Sequence, residues 1–267
     1  MKVKQKAKQV LSKTSTMHYA KLVFRSALFA IALVVYIINR IRNATSPFGG
    51  LEKQPFILTF IWIVFVTEMI FRFFPSKLES MGCEKQFKRN FKPTGKSTPE
   101  NISWKSTFSI VIAWIILNGC IGLLYYNNII DEGILLLISL AYSACDMICI
   151  LFFCPFQTWF MKNKCCTTCR IYNWDYVMMF TPLVFTKDPF YLSILACAII
   201  LLIRWEITYK FYPQRFSEAT NCSLSCANCE EKLCHHKRQL KSFLNKNKEY
   251  LYLKGNPIIE KYRKNKD

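Results

Sequence analysis

Ile171 to Phe185 reads IYNWDYVMMFTPLVF and Phe190 to Ile207 reads FYLSILACAIILLIRWEI, two apolar runs separated only by Thr186-Lys187-Asp188-Pro189. At 1.5 Å per residue such runs approach the ~30 Å thickness of a hydrocarbon core, and a four-residue turn with Asp and Pro folds them back on each other. Cysteines flank the pair on both sides. Cys154, Cys165, Cys166 and Cys169 precede it, and Cys222, Cys226, Cys229 and Cys234 follow it. A hairpin that crosses and returns delivers both groups to one side.

Working outward, the same pattern repeats. The 267 residues are 52% hydrophobic and 15% aromatic, and the apolar residues gather in runs rather than spreading evenly. Leu22 to Asn39, Phe56 to Phe74, Thr107 to Tyr126 and Ile134 to Phe153 are four further candidate spans. The chain therefore reads as an all-α, polytopic integral membrane protein of about six transmembrane helices. The first run is too long for a signal-peptide core, and Asn39-Arg40-Ile41-Arg42 offers no small-residue cleavage site, so a retained helix is expected.

The division of the chain follows from these spans. Residues 1–21 form a basic terminus, and 22–153 hold the first four spans with a basic loop at 75–105. Residues 154–170 form a cysteine-rich loop, 171–207 the hairpin, and 208–267 a cysteine-rich basic tail. Of 36 Lys and Arg, only four lie in the outer connectors, while twenty-nine lie in the termini and inner connectors. The positive-inside rule then places both termini in the cytosol, in the cytoplasmic membrane. The net charge of +19 has this explanation, so nucleic acid is not an expected partner. Gly95-Lys96-Ser97 ends like a phosphate-binding loop, but Asn90 stands where the first glycine is required and no apolar strand precedes it.

Topology gives the thirteen cysteines meaning. None lies in an outer connector, nine lie on the inner side, and Cys120, Cys145, Cys149 and Cys197 fall within spans. A secreted disulfide framework shows the opposite distribution. Cys154, Cys165, Cys166, Cys169, Cys222, Cys226, Cys229 and Cys234 are accordingly candidate metal ligands. Cys166-x2-Cys169 with Cys226-x2-Cys229 matches a four-thiolate zinc site. Cys222, Cys226, Cys229 and Cys234, four thiols within thirteen residues, match the compact run that wraps a [4Fe-4S] iron-sulfur cluster, which is slightly favoured. His235 and His236 follow directly and are alternative ligands. The span cysteines are expected to be small buried hydrophobes.

Ionisable residues inside spans are costly and mark either pairing or a polar cavity. Glu68, Arg72, Asp146, Asp175 and Arg204, with Arg25 and Glu206, all fall in the inner half. Arg25, Arg72, Asp175, Arg204 and Glu206 are near enough to the ends to snorkel. Asp146 and Glu68 are deeper and are expected to be paired or protonated, with Arg72 and Arg204 as candidate partners. In the tail, Leu233, Leu240, Leu244 and Leu251 recur as a helical stripe suited to the inner leaflet or the cap.

Two functions fit. One is a membrane redox component that passes electrons between a soluble redox protein and a membrane acceptor such as quinone, through an iron-sulfur centre. The other is a zinc-stapled carrier or accessory subunit that handles an ion or small solute through a polar inner-half cavity. Nothing in the residues names a catalytic group.

Overall fold

The structure, a computed structural model, describes residues 13–42, 46–50, 54–75, 81–96, 98–99, 104–161 and 168–225. Cys165, Cys166, Cys226, Cys229, Cys234, His235, His236 and the leucine stripe of the tail lie outside these residues. Regular structure among the described residues is helical, apart from one isolated antiparallel bridge between Pro93 and Asn221.

The α-helices are α1 (Lys13–Ile41), α2 (Pro55–Phe71), α3 (Met81–Gln86), α4 (Trp104–Tyr126), α5 (Glu132–Leu151), α6 (Asp175–Phe180) and α7 (Pro189–Phe211). Four of them, α1, α4, α5 and α7, are long and apolar enough to cross a membrane. The 17-residue α2 is equally apolar but shorter. Starts are chemically marked. Asp131 caps α5 by accepting from the Ile134 amide at 2.9 Å, and Asp188 caps α7 by accepting from the Phe190 amide at 2.8 Å. Pro55 and Pro189 occupy first turns, where a missing amide hydrogen costs nothing.

Ile171 to Phe185, expected as a fifth span, is not a single α-helix. It is 3-10 at Tyr172–Trp174, α at α6, and 3-10 again at Thr181–Thr186. Pro182 has no amide hydrogen to continue the α pattern, and the chain tightens there. Two hydroxyls accommodate the change. Thr181 Oγ1 donates to the Val177 carbonyl at 2.6 Å, and buried Ser139 of α5 donates to the Met179 carbonyl at 2.8 Å. The 3-10 rise also lengthens the segment, so Tyr172 to Thr186 extends ~27 Å.

Contacts fix the directions. Tyr36 of α1 donates to Asp131 at 3.0 Å and Arg25 reaches Asp146 at 3.0 Å, so α1 and α5 are antiparallel. Trp62 of α2 donates to Ser193 at 2.9 Å, and Arg204 donates to the Arg72 carbonyl at 3.0 Å, so α2 and α7 run parallel. Ile110 of α4 packs on Cys169 and Ile171, while Gly122 lies so near Phe185 that a Cβ there would stand 2.5 Å from the ring. The segment after Cys169 thus runs alongside α4, and α7 returns beside it.

A core of Phe65, Met69, Tyr176, Met179, Ile194, Leu201 and Trp205 joins α2, α6 and α7. Large aliphatic side chains face outward, among them Ile115 at 64% and Ile203 at 51% exposure, whereas Arg25 and Arg72 are buried. Apolar outside and ionic inside is the arrangement suited to a lipid solvent.

Candidate functional site

Arg25, Glu68, Arg72, Asp146 and Asp175 assemble into one buried network. Arg25 Nη2 donates to Glu68 Oε2 at 2.6 Å, and Arg25 Nη1 donates to Asp146 Oδ2 at 3.0 Å and to the Ser143 carbonyl at 3.3 Å. Glu68 also accepts from the Tyr176 hydroxyl at 3.0 Å and stands 3.7 Å from Lys21 Nζ. Arg72 grips Asp175 through both oxygens, at 2.7 and 2.6 Å, with its guanidinium 4.6 Å from the Tyr176 ring centre. Three basic side chains, Lys21, Arg25 and Arg72, thus face three acidic ones, Glu68, Asp146 and Asp175.

Two expectations are corrected here. Arg25 and Arg72, only 1% and 2% exposed, do not snorkel; they turn inward because carboxylates await them. The partner of both Glu68 and Asp146 is Arg25 of α1, whereas Arg72 serves Asp175. Arg204 bonds the Arg72 carbonyl and lies over Phe73, Phe87 and Trp205.

Beside the network lies a cleft of about 130 Å³ between α4, α5 and the segment around α6. Cys145 and Cys149, four residues apart on one face of α5, line it together with Cys154 and Cys169. Its aromatic walls are Trp114, Tyr142, Phe156 and Tyr172, and Asp146 and Asp175 reach it from the network. Cys149 and Cys154, on either side of the end of α5, both line the cleft. The Gln157 amide, in the π-helical turn Phe156–Phe160, donates to Cys154 Sγ at 3.4 Å. None of the four span cysteines is fully buried as expected: Cys120 and Cys145 are exposed, and Cys149 and Cys197 are half-buried.

The helix ends carry a second polar construction. Arg170 forms a two-point ion pair with Glu206, which also accepts from Trp174 Nε1 at 2.7 Å, and the Arg170 guanidinium lies 3.9 Å from the Tyr209 ring centre. This clamp ties the residue after Cys169 to the end of α7. Beyond α7 the chain packs on the 81–94 connector: the Cys222 amide donates to the Lys92 carbonyl at 2.7 Å. Fully buried Asn221 bonds Lys85, Lys92, Arg215 and Ser223. The sequence gives no hint of this role, because a single Asn in a polar tail carries no pattern.

Cys154 and Cys169 therefore share the cleft, and Cys222 sits on the connector at the same end of the bundle. Among the described residues, no group of three or more His, Cys, Asp and Glu is placed to hold a metal ion. No protein-family model, curated protein or solved structure matches the chain, so function is argued from the chemistry of the site itself.

Proposed function

We propose that the chain crosses the cytoplasmic membrane six times with both termini in the cytosol. In this reading it is a redox component that passes electrons between a soluble donor and a membrane acceptor of the quinone class. The electrons pass through a cysteine-ligated centre at the inner end, with Cys154, Cys165, Cys166, Cys169, Cys222, Cys226, Cys229 and Cys234 as its candidate ligands. An iron-sulfur cluster is favoured by the compact Cys222 to Cys234 run.

One observation carries the reading: the Arg170–Glu206 clamp holds the start and end of the hairpin at one end of the bundle, so both cysteine segments leave from it. The five cysteines outside the described residues belong in sequence to these two segments. The zinc-stapled carrier is the less supported reading, because the carboxylates of the inner half are engaged by arginines, which suits a structural network better than an ion path.

Anaerobic purification tests it. Brown protein with a broad absorbance near ~400 nm and stoichiometric iron and sulfide is the expected result. Colourless protein with about one tightly held zinc overturns it in favour of the zinc-stapled carrier.

A further inference from the structure

At the helix ends the chain builds a fastened basic surface. The connector at 81–94 and the segment at 217–225 interlock through backbone groups. The Cys222 amide donates to the Lys92 carbonyl at 2.7 Å, the Thr94 amide to the Thr220 carbonyl at 3.2 Å, and Ser223 Oγ to the Asn90 carbonyl at 2.6 Å. Fully buried Asn221 donates to the carbonyls of Lys85 and Arg215 at 3.0 and 2.9 Å. These bonds engage the main chain of the basic residues, and the side chains of Lys88, Arg89 and Lys92, in and after the 3-10 turn Lys88–Asn90, stay exposed. Cations held on a fixed backbone lose less freedom on binding than cations on a loose loop.

The charge of this surface is one-sided. Residues 81–96 and 210–225 carry seven Lys and Arg against two acids, Glu84 and Glu218, so the complement is anionic. Among the described residues, none of Lys88, Arg89, Lys92 and Lys96 is engaged in an ion pair.

Depth selects the anion. Phe87, the residue before Lys88, packs edge-on against Trp205 with ring centres 5.3 Å apart, and the Arg204 guanidinium lies 5.4 Å from the Phe87 ring centre. Trp205 stands six residues before Phe211 at the end of α7, ~9 Å along the axis, while the headgroup layer on each side of a bilayer is ~5–7 Å thick. Exposed Ile203, Ile207 and Phe211 run to that end and mark how far the lipid chains reach. Tyr212 follows them, an amphipathic ring at the boundary with the Arg215 guanidinium 4.1 Å from its centre. The basic turn is thus fixed at the level of the headgroups. There the phosphates of the inner leaflet are the anions at hand, and their attraction for Lys and Arg fades within a Debye length.

We propose that Lys88, Arg89 and Lys92 bind the phosphate headgroups of anionic lipids in the inner leaflet, fastening the 81–94 connector and the 217–225 segment to the membrane surface. The inference shares with the proposed function only the orientation of the helix ends toward the cytosol. It needs neither a metal nor electron transfer.

The test uses the full chain in nanodiscs of phosphatidylcholine mixed with phosphatidylglycerol, with a trace of phosphatidylglycerol that carries a photoreactive group beside its headgroup. After irradiation the modified peptides are mapped by mass spectrometry. Crosslinks are expected on residues 84–96, several-fold above those from the matching photoreactive phosphatidylcholine, and they should fall as salt is raised. Lys88→Gln, Arg89→Gln and Lys92→Gln should each weaken the crosslink about fivefold, and together bring it to the phosphatidylcholine level. Lys88→Arg combined with Lys92→Arg should keep it.

Equal crosslinking by the two lipids overturns the inference, as does a triple Gln variant that crosslinks like the parent. So does loss of the crosslink on adding millimolar inorganic phosphate, which assigns the surface to a free anion. Iron and sulfide measured on the same preparation keep the two proposals apart. Equal crosslinking in brown, iron-containing protein removes the headgroup site alone, whereas selective crosslinking in protein without iron removes the cluster alone. Crosslinks on 186–189 in place of 84–96 overturn the orientation that both share.

Discussion

The Arg25 guanidinium of α1 lies 2.6 Å from the Glu68 carboxylate of α2, and with its other nitrogen reaches Asp146 of α5. One side chain thus fastens three helices of the bundle. Removing one partner of a buried pair leaves an uncompensated charge, at a cost of about 3–5 kcal/mol. Arg25→Met should therefore lower the melting temperature in detergent well beyond an ordinary surface change. Adding Asp146→Asn should restore part of the loss, because Glu68 retains Lys21 and Tyr176. A double variant less stable than Arg25→Met would contradict this ion-pair assignment.

Ser139 carries a backbone repair across a helix boundary. Its hydroxyl donates to the Met179 carbonyl where the segment after α6 turns 3-10. Ser139→Ala should cost about 1–3 kcal/mol, the penalty for a buried acceptor that loses its donor. Detergent or urea unfolding followed by tryptophan fluorescence measures it, and an unchanged midpoint would show that the carbonyl finds another donor.

Gly119 and Gly122 offer a matched comparison on α4. A Cβ at Gly122 would meet the Phe185 ring at 2.5 Å, whereas one at Gly119 meets nothing within 4 Å. Gly122→Ala should be destabilising and relieved by Phe185→Ala. Gly119→Ala should be neutral or stabilising by up to ~1 kcal/mol, from helix propensity alone. Equal effects at the two positions would mean that α4 does not lie against the 181–186 segment.

Much of this arrangement is legible in the order of the residues. The apolar runs mark the long helices, and Asp131 and Asp188-Pro189 mark two starts. The depth of Glu68 and Asp146 announces that they must be paired or protonated. The partner is not legible. A helix can show only its own i, i+4 neighbours, so Arg72 looks like the mate of Glu68, and the choice of Arg25 depends on how α1 crosses α2 and α5. The cleft is hidden for a similar reason. Cys145 and Cys149 read as packing residues within α5, and only the turn at Phe152 brings Cys154 to line the same cleft. Pro182 hints at a break, but not that 3-10 geometry stretches the short fifth segment instead of ending it.

The Arg170–Glu206 clamp should control access to Cys169, which is only 8% exposed beside it. Arg170→Met should raise the rate of maleimide labelling at Cys169 several-fold, read by peptide mapping, because the start of the 172–186 segment would no longer be tied to α7. Glu206→Gln should act in the same direction but less, since Trp174 can still donate to the amide oxygen. Labelling that stays at the parent rate in both variants would show that the clamp does not guard the thiol.

The central claim is that the residues before the hairpin and those after it share one face of the membrane. Vesicles of known orientation, carrying chains with a single reactive thiol at Thr168→Cys, at native Cys222 or at Asp188→Cys, can be treated with a membrane-impermeant maleimide. Labelling of Thr168→Cys and Cys222 only from the cytosolic side, and of Asp188→Cys only from the opposite side, is the predicted result. Labelling of Thr168→Cys and Cys222 from opposite sides would contradict the account.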